Sequence, residues 1–517
     1  MTESSFPILT CCLLWPLLGA VMVMTLKKPC AVRWLALAIG MIELGLTLIA
    51  LSQFDASNSQ LQLLEDHSWI PSINARYQLG VDGISILFLP MSALLCLMSL
   101  LAGWNSVQRL QRFHLALLLL LQSVTIGVFC AVDLVLFFLF WELTLPPLFF
   151  LIGLWGVGAN RRQAALKYVL YLLFGGVPLL LGMIALAIQQ AGLQDAASTL
   201  SLSFSLPTLL TLPFSADAQT LIYLLLMLGF AVKTPLVPLH GWLPTTAMEG
   251  PPQVTALLLG LKLGVYGLIR FALPLAPDAA QHHRWLLAIL GSITLIYGAL
   301  LALQQSNLRR LLAYAGISHV GLVVMGIASF TLQGLQGAMM QLLNFGLVAG
   351  SLMLMAGMVQ QRLGSNELLH LGGLAKPMPR LTTLFFVFAL SSIGLPGLNG
   401  FPAELLMIWG TFDAYPSLGG VALFAEVLGA AYILQFSRHA FLGPVHSVAV
   451  AQAQDLRPRE WAMLIVPALW VLWLGFHPQT VLSLQTATLK DWLQHQHSAA
   501  GSRLPPQQSS LLASSSL

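Results

Sequence analysis

Seven ionisable side chains lie inside long apolar stretches of this 517-residue chain, where little water is present to solvate a charge. They are Asp133, Glu142, Lys233, Lys262, His319, Glu404 and Glu426. A charged side chain at the centre of a bilayer costs about 3 kcal/mol or more, so such residues mark functional sites by default. Only 8% of the chain is charged. The placement of these groups predicts an ion or proton path of acids and bases, buried within a helix bundle.

The composition indicates a helical membrane protein that crosses the bilayer many times. The chain is 57% hydrophobic with a mean hydropathy of +0.82, which is outside the range of soluble globular domains. Apolar runs of about 18 residues or more recur along almost its whole length. The runs are continuous rather than alternating, which disfavours a transmembrane barrel. The first run lacks a basic leader and a cleavage site, so it is predicted to be a helix and not a signal peptide.

The apolar runs predict an all-α polytopic fold with about 14 transmembrane helices. The predicted helices are 6–26, 31–51, 83–103, 113–131, 133–153, 165–189, 219–239, 252–274, 284–304, 308–330, 334–360, 380–408, 417–441 and 460–480. Sixteen of the 23 Lys and Arg residues fall in the loops that follow odd-numbered helices. Basic loops face the cytoplasm, so both termini are expected on the opposite side.

Two of the predicted helices contain helix breakers beside an ionisable residue. Pro235 and Pro238 follow Lys233 in predicted helix 7, and proline removes a backbone donor, so this helix should break just after the lysine. Irregular backbone at membrane depth is tolerated where it is buried in protein or lines a cavity.

Predicted helix 12 carries Pro396 and Gly397 just ahead of Glu404. Broken helices 7 and 12 are five apart in order, which suggests two inverted five-helix repeats. The alternative is that these kinks are packing features alone. The predicted domains are 1–112 (helices 1–3 with an outer loop at 52–79), 113–274 (first repeat, with a second outer loop at 190–218), 284–441 (second repeat), 442–480 (helix 14) and 481–517 (a tail with a disordered C-terminal part).

Several long motifs in this order resemble the antiporter-like, proton-pumping membrane subunits of complex I. The strongest are FFLFWELTLPPLFFLIGLWG, FAVKTPLVPLHGWLP, LKLGVYGLIRFALPL, NLRRLLAYAGISHVGLVVMGIA and GLPGLNGFPAELL. The similarity runs from about residue 79 to 479. A glutamate on broken helix 12, here Glu404, is similar to the subunit M (subunit 4) type, whereas related types carry lysine there.

The resemblance implies a proton relay along the chain. Glu142 would pair with Lys233 to form the input half, and Lys262 would be the central relay. Its proton would pass through His319 to Glu404.

The resemblance also matches Asp133 to an aspartate near the mouth of predicted helix 5, and it assigns Glu426 no role. Burial favours the neutral forms of acids and amines, while an opposite charge nearby favours the charged forms. A Glu–Lys pair whose separation changes can therefore switch the proton affinity of its lysine.

Structural alternatives remain open for these residues. Glu142 could form a plain structural salt bridge, His319 could be a hydrogen-bonded core residue, and Glu404 could cap a half-helix. Asp133 begins a helix and could be only an N-cap. A structural or interfacial role is the favoured interpretation for Glu426.

Three positions depart from the family pattern. Thr245, Thr246 and Ala247 follow HGWLP, where Asp-Ala-His is common, which puts the usual route of proton uptake in doubt. Phe345 replaces a histidine expected in helix 11, so water would have to bridge the gap between His319 and Glu404. Arg309 stands where a lysine is usual. These differences suggest a specialised paralogue.

The leading hypothesis is a proton-translocating subunit of a complex I-type NADH (or ferredoxin):quinone oxidoreductase. The chain has no Gly-rich dinucleotide motif, and its five cysteines include no C-x-x-C pair, so no catalytic, cofactor or metal site is predicted on it. NADH, FMN, Fe–S clusters and quinone are expected in partner subunits, with quinone contacted only indirectly and no nucleic acid bound. The resemblance implies a bacterial inner or thylakoid membrane. The alternative is a membrane subunit of a stand-alone cation/proton antiporter or inorganic-carbon uptake system.

Overall fold

A computed structural model describes residues 6–192, 202–211, 214–445 and 447–501. These residues form helices throughout, with one two-stranded sheet. The helices are α1 Ile8–Thr25, α2 Pro29–Ser52, α3 Phe88–Ala102, α4 Gln111–Cys130, α5 Leu134–Leu143, α6 Leu145–Trp155, α7 Arg161–Gly192, α8 Leu206–Leu210, α9 Ala216–Lys233, α10 Trp242–Glu249, α11 Pro252–Gly260, α12 Leu263–Gly267, α13 Pro277–Leu303, α14 Leu308–Ala328, α15 Leu332–Asn344, α16 Gly350–Leu363, α17 Pro379–Ser391, α18 Gly400–Ala414, α19 Pro416–Phe441, α20 Val448–Ala451, α21 Pro458–Phe476 and α22 Gln479–Gly501.

Long apolar helices confirm the predicted class of polytopic helical membrane protein. In the described ranges, twelve segments are long and apolar enough to cross a bilayer, and α3 and α17 are shorter apolar helices. The predicted count of fourteen spans and the inverted repeats stay predictions.

Burial separates the centre of the bundle from its periphery. The most apolar window of Leu332–Leu363 is 94% buried, whereas that of α2 or α19 is 33% buried. Helix α4 and helix α14 are also largely buried, at 89% each. Helices α4, α14 and α15–α16 therefore form the centre, while α2 and α19 leave one face exposed to their surroundings.

Both predicted helix breaks are present. Helix α9 ends at Lys233, and α10 begins only at Trp242, beyond Pro235 and Pro238. Eight residues likewise separate the end of α17 at Ser391 from the start of α18. Proline and glycine in these linkers prevent the helices from continuing.

A third interruption occurs where the sequence predicted one continuous helix over 252–274. Helix α11 ends at Gly260 and α12 begins at Leu263, so Lys262 lies at a non-helical junction. A π-helical turn, Leu268–Ala272, follows α12. At Gly264 the chain packs so closely on the backbone of Lys233 and Thr234 that a side chain would collide with it. This long-range packing accompanies the break, and no proline signals it locally.

The outer segment 52–79 is not simply a loop. It contains most of an antiparallel hairpin, β1 Gln62–Ile70 and β2 Ala75–Val81, whose turn ends at Asn74 with a positive φ of 52°. In the second predicted outer loop, α8 forms in the described part, and residues 193–201 and 212–213 lie outside the described residues.

The predicted tail begins with a long helix. Helix α22 packs on the irregular segment after α12, where Trp492 Nε1 donates to the Ile269 carbonyl (3.0 Å) and Gln496 Nε2 donates to the Leu273 carbonyl (3.1 Å). The π-helical turn disrupts the regular backbone hydrogen bonding of a helix, so these carbonyls can accept hydrogen bonds from α22. The sequence did not reveal this tertiary contact. Disorder is predicted from about Ser498 onward, but α22 continues to Gly501, and residues 502–517 lie outside the described residues.

A buried ion pair ties the hairpin to the same segment. Asp82, directly after β2, accepts a hydrogen bond from Arg270 in the π-helical turn, and both side chains are less than 10% exposed. Removing one member of a buried pair leaves an uncompensated charge, which costs about 3–5 kcal/mol. We expect Arg270→Met to lower the thermal unfolding midpoint of the purified protein strongly.

The matched control is Arg76→Met in the same hairpin. Its partner is Asp66, and the Arg76 side chain is 39% exposed, so this pair should contribute less than about 1 kcal/mol. Equal midpoints for the two variants would contradict a structural role for the Asp82–Arg270 pair.

Candidate functional site

Lys233 is the last residue of α9 and is held by the junction between α5 and α6. Its Nζ donates to the Trp141 carbonyl (3.2 Å) and to Thr144 Oγ1 (2.9 Å). The same Nζ lies 3.8 Å from the centroid of a Trp141 ring. A carbonyl, a hydroxyl and an aromatic face therefore replace water around this amine.

Glu142 lies next to this junction but makes no direct ion pair with Lys233 among the described residues. The resemblance implied such a pair, and the structure differs because the lysine is bound by the neighbours of Glu142 instead. Oε1 of Glu142 has no hydrogen-bond partner in the described chain and rests against Gly176 of α7, where any Cβ would collide with it.

The two buried lysines line one internal cavity. Its volume is about 40 Å³, and its wall includes Thr144, Tyr168, Lys233 and Lys262. A water molecule needs roughly 10–15 Å³ of such space and polar partners. The cavity is therefore large enough for two or three waters between the two amines.

Lys262 lies in the non-helical junction between α11 and α12 and is 7% exposed. Its Nζ is 4.8 Å from the ring centroid of Phe345, and it approaches Gly316 of α14. Phe345 begins a π-helical turn at the end of α15, a feature common at functional sites. The aromatic face thus contacts the amine at the position where the resemblance led us to expect a histidine.

His319, one turn along α14 from Gly316, is also a neighbour of Phe345. The two ring centroids are 6.5 Å apart. Nδ1 of His319 lies 3.9 Å from Oε1 of Glu404, which is too long for a direct hydrogen bond. A second cavity of about 40 Å³ is lined by His319, Asn344 and Ser391, among others. It has room for water beside His319 and Phe345, although Glu404 is not one of its lining residues.

A buried amide network borders this second cavity and was not predicted from the sequence. Asn344 Nδ2 donates to Gln341 Oε1 and to the Asn399 carbonyl, both at 3.0 Å. Asn399 Nδ2 donates back to Asn344 Oδ1 (2.6 Å), and Ser391 Oγ donates to Asn399 Oδ1 (2.5 Å). The network joins α15 to the linker between α17 and α18, and so it fixes the position of the second break.

Glu404 lies within α18 and is 4% exposed. Its side chain packs against Gly394 in the linker, which has a φ of +65° and no room for a Cβ. Helix α18 begins at Gly400, and Asn399 at its N-cap makes no side-chain capping bond. The predicted alternative of a capping role for Glu404 is therefore not supported by this geometry.

Glu426 of α19 adds a third titratable group to His319 and Glu404. One ligand-type atom from each residue lies within 4.8 Å of the others. A bound Zn²⁺ ion would require each of these atoms at about 2.0–2.2 Å from the metal. The three ligand atoms would therefore have to move closer to one another. The sequence offered no role for Glu426, because its neighbour Glu404 becomes apparent only when α18 and α19 pack together.

Asp133 is the N-cap of α5. Its Oδ1 accepts hydrogen bonds from the backbone of Val135 (2.9 Å) and Leu136 (3.1 Å), and its Oδ2 accepts one from the Arg76 backbone (3.2 Å). The structure therefore favours a structural, N-capping role for Asp133. This residue is not part of the line of groups from Lys233 to Glu404.

The sequence analysis also missed two intramembrane groups. Glu43 of α2 is 1% exposed, and neither of its oxygens has a hydrogen-bond partner in the described residues. Arg270 is the second and is paired with Asp82. Glu43 carries the same signal as the seven residues singled out, an acid within an apolar run, and could have been found from it.

Thr245, the first of the three residues that follow HGWLP, carries a hydroxyl group. Lys167 Nζ donates to Thr245 Oγ1 at 3.0 Å, which joins α7 to α10. Arg309 donates to the Gly250 carbonyl and to Gln360 Oε1 (2.9 Å). At these two positions the departures are part of inter-helix hydrogen bonds.

Comparisons with known proteins show the family and the fold of this chain. A family model described as "NADH:quinone oxidoreductase/Mrp antiporter, TM" matches residues 131–429. NAD(P)H-quinone oxidoreductase chain 4 1 of Synechococcus sp. (strain JA-2-3B'a(2-13)) is 38% identical over 493 residues, covering 93% of this chain and 91% of that protein. F(420)H(2) dehydrogenase subunit M of Methanosarcina mazei is 36% identical over 486 residues, covering 92% and 96%. A chain of respiratory complex I from Thermus thermophilus with bound NADH superposes with a TM-score of 0.85 at 30% identity, covering 94% and 99%.

The close packing of Gly394 on Glu404 generates a prediction. Alanine at this left-handed position should cost about 1–2 kcal/mol and also displace the carboxyl group. We expect Gly394→Ala to reduce ion translocation by membrane vesicles that contain the assembled protein.

Gly364→Ala is the matched control. Gly364 has a similar φ of +73°, but no atom lies within 4 Å of the position of its Cβ. It should lose similar stability and keep its transport rate. Equal transport rates in the two variants would show that the position of Glu404 does not matter.

Proposed function

Because the chain belongs to the family of NADH:quinone oxidoreductase and Mrp antiporter membrane subunits, we propose that it is a proton-translocating subunit of a complex I-type oxidoreductase. One observation carries the proposal. Lys233, Lys262, His319 and Glu404 follow one another through the buried centre of the bundle, and two cavities with room for water border this line.

The residues divide the path into two halves. Lys233 and Lys262 line the first cavity, so a proton leaving one amine can reach the other through water. His319 borders the second cavity and faces Glu404, which forms the end of the line. Lysine suits the buried positions because its proton affinity shifts readily on burial, and histidine because it exchanges protons near neutral pH.

Glu142 would control the first half through its charge. If ionised, Glu142 would stabilise the protonated form of Lys233 through space, without a direct bond to it. Movement of Glu142 away from α9 would weaken that attraction and favour release of the proton from Lys233 towards the first cavity. Because Gly176 has no side chain, the carboxyl group of Glu142 can lie directly against α7. The movement would begin from this position.

The energy for transport would come from redox chemistry in partner subunits, which would hold NADH, FMN, Fe–S clusters and quinone. The names of the relatives include NAD(P)H-quinone oxidoreductase and F(420)H(2) dehydrogenase, so the electron donor varies among them. This chain would therefore contribute ion translocation and contacts with other membrane subunits, whatever the donor is.

The proposal includes an orientation. In a bacterial inner or thylakoid membrane, the basic loops would face the cytoplasm. Residues 113–274 and 284–441 would form inverted repeats, each containing one of the two predicted breaks.

A second candidate is a subunit of a stand-alone cation/proton antiporter or an inorganic-carbon uptake system. The family description includes Mrp antiporters, and the departures at Thr245 and Ala247 alter the region where protons would be taken up. Purification of the native assembly distinguishes the two: co-purifying redox subunits support the first candidate, and their absence supports the second.

The proposed relay predicts the effect of removing its first amine. In vesicles containing the native assembly, Lys233→Ala should lower the number of protons translocated per electron, because no group at position 233 can hold and release the proton. The measurement is electron-transfer-driven proton movement, with electron flow recorded in parallel.

Lys376→Ala serves as the control because Lys376 lies exposed in the linker before α17. Its proton-to-electron ratio should match that of the unmodified assembly. An unchanged ratio in Lys233→Ala would defeat the proposed function.

A further inference from the structure

The end of the relay contains two carboxyl groups, contributed by neighbouring helices. One carboxyl oxygen of Glu404 on α18 and one of Glu426 on α19 lie within 4.8 Å of each other. His319 of α14 completes the cluster, with Nδ1 3.9 Å from Oε1 of Glu404. Three helices thus bring three titratable side chains to one place, and the sequence analysis assigned a relay role to only two of them.

Two adjacent carboxyl groups in apolar surroundings cannot both be ionised at low energetic cost. An ionised carboxylate is only an acceptor, so a hydrogen bond between two carboxyl groups needs a proton on one of them. The proximity of Glu404 and Glu426 therefore favours a state in which the pair holds one proton. Oε1 of Glu404 is buried and has no hydrogen-bond partner in the described chain, so it remains available on the side of His319.

We propose that Glu426 is the second acid of the terminal site and that the Glu404–Glu426 pair carries the transported proton as a unit. This inference rests on the proposed proton-translocating function. In the resting state the pair holds one proton and one negative charge. Protonated His319 gives its proton to Glu404 through water, which leaves neutral imidazole and a neutral pair with two protons. Loss of one proton from Glu426 to water restores the resting state.

The two acids of the pair differ in burial. Glu404 is 4% exposed, whereas Glu426 is partly exposed. Near Glu426 on α19, Leu423 and Val427 are 51% and 65% exposed and form the outer face of the helix. Glu426 therefore lies between the buried relay and the edge of the bundle, the position required of a residue that passes a proton onward from Glu404.

Tyr432 lies near Glu426 on the buried side. A Cβ at Gly429 would lie 3.8 Å from Oη of Tyr432 and 3.9 Å from Oε2 of Glu426. The small residue thus leaves space between the phenol and the carboxyl group. A structural role for Glu426 would need only its hydrogen bond to Glu404, which a glutamine can also make.

The test compares variants in the native assembly, in membrane vesicles. Glu426→Gln keeps the size and a hydrogen-bond donor but cannot release a proton. Its proton translocation should fall by about tenfold or more, as for Glu404→Gln. The double variant should be no worse than either single one, because the pair acts as a unit. Glu426→Asp retains a carboxyl group and should keep part of the transport.

Infrared difference spectra recorded during turnover supply a second readout. The band of a protonated carboxyl group should disappear in both Glu404→Gln and Glu426→Gln. Asp413→Asn, an exposed acid on α18, is the control and should keep both the band and the transport rate.

The outcomes separate this inference from the proposed function. If Glu426→Gln keeps normal transport while Lys233→Ala and Glu404→Gln lose it, the shared-proton pair is overturned and the relay stands. If Lys233→Ala and Glu404→Gln both keep normal transport, the relay itself is overturned.

Discussion

The high free energy of a charge in an apolar bundle is the constraint on which this structure depends. Three of the four groups of the proposed relay lie at or near interrupted helices, where backbone and side-chain dipoles can replace water. Lys233 shows how this is done, since a backbone carbonyl, a hydroxyl and an indole ring surround its amine. Lys262 lies at a non-helical junction, and Glu404 follows a linker whose glycine leaves room for its carboxyl group.

The same constraint explains why the two halves of the site differ. Around Lys233 the polar partners come from a single junction between two short helices. Around Glu404 the neighbouring polar groups are His319 and a second acid on α19, while the amide network fixes the linker before α18. A cationic amine is well stabilised by fixed acceptors. A carboxyl group can instead bind to a proton-sharing partner, so an acid pair suits the terminal position.

Local chemistry made much of this arrangement predictable. Prolines mark the end of α9 at Lys233, and proline and glycine mark the linker before Glu404, because these residues disrupt helices wherever they occur. The interruption at Lys262 has no such mark, since it accompanies close packing of Gly264 on the end of α9. Other features depend on contacts between segments. Helix α22 packs on a segment that is distant in sequence, and Glu426 approaches Glu404 only when α19 packs on α18. The hairpin likewise forms by pairing of two strands. A pattern of apolar runs cannot reveal them.

The central claim is that hydrated titratable groups connect through the middle of the bundle. A structure of the assembled complex, at a resolution that shows ordered water, tests it most directly. The account predicts water in both cavities, linking Lys233 to Lys262 and His319 to Glu404. Apolar side chains filling both cavities, with no water between these groups, would contradict it.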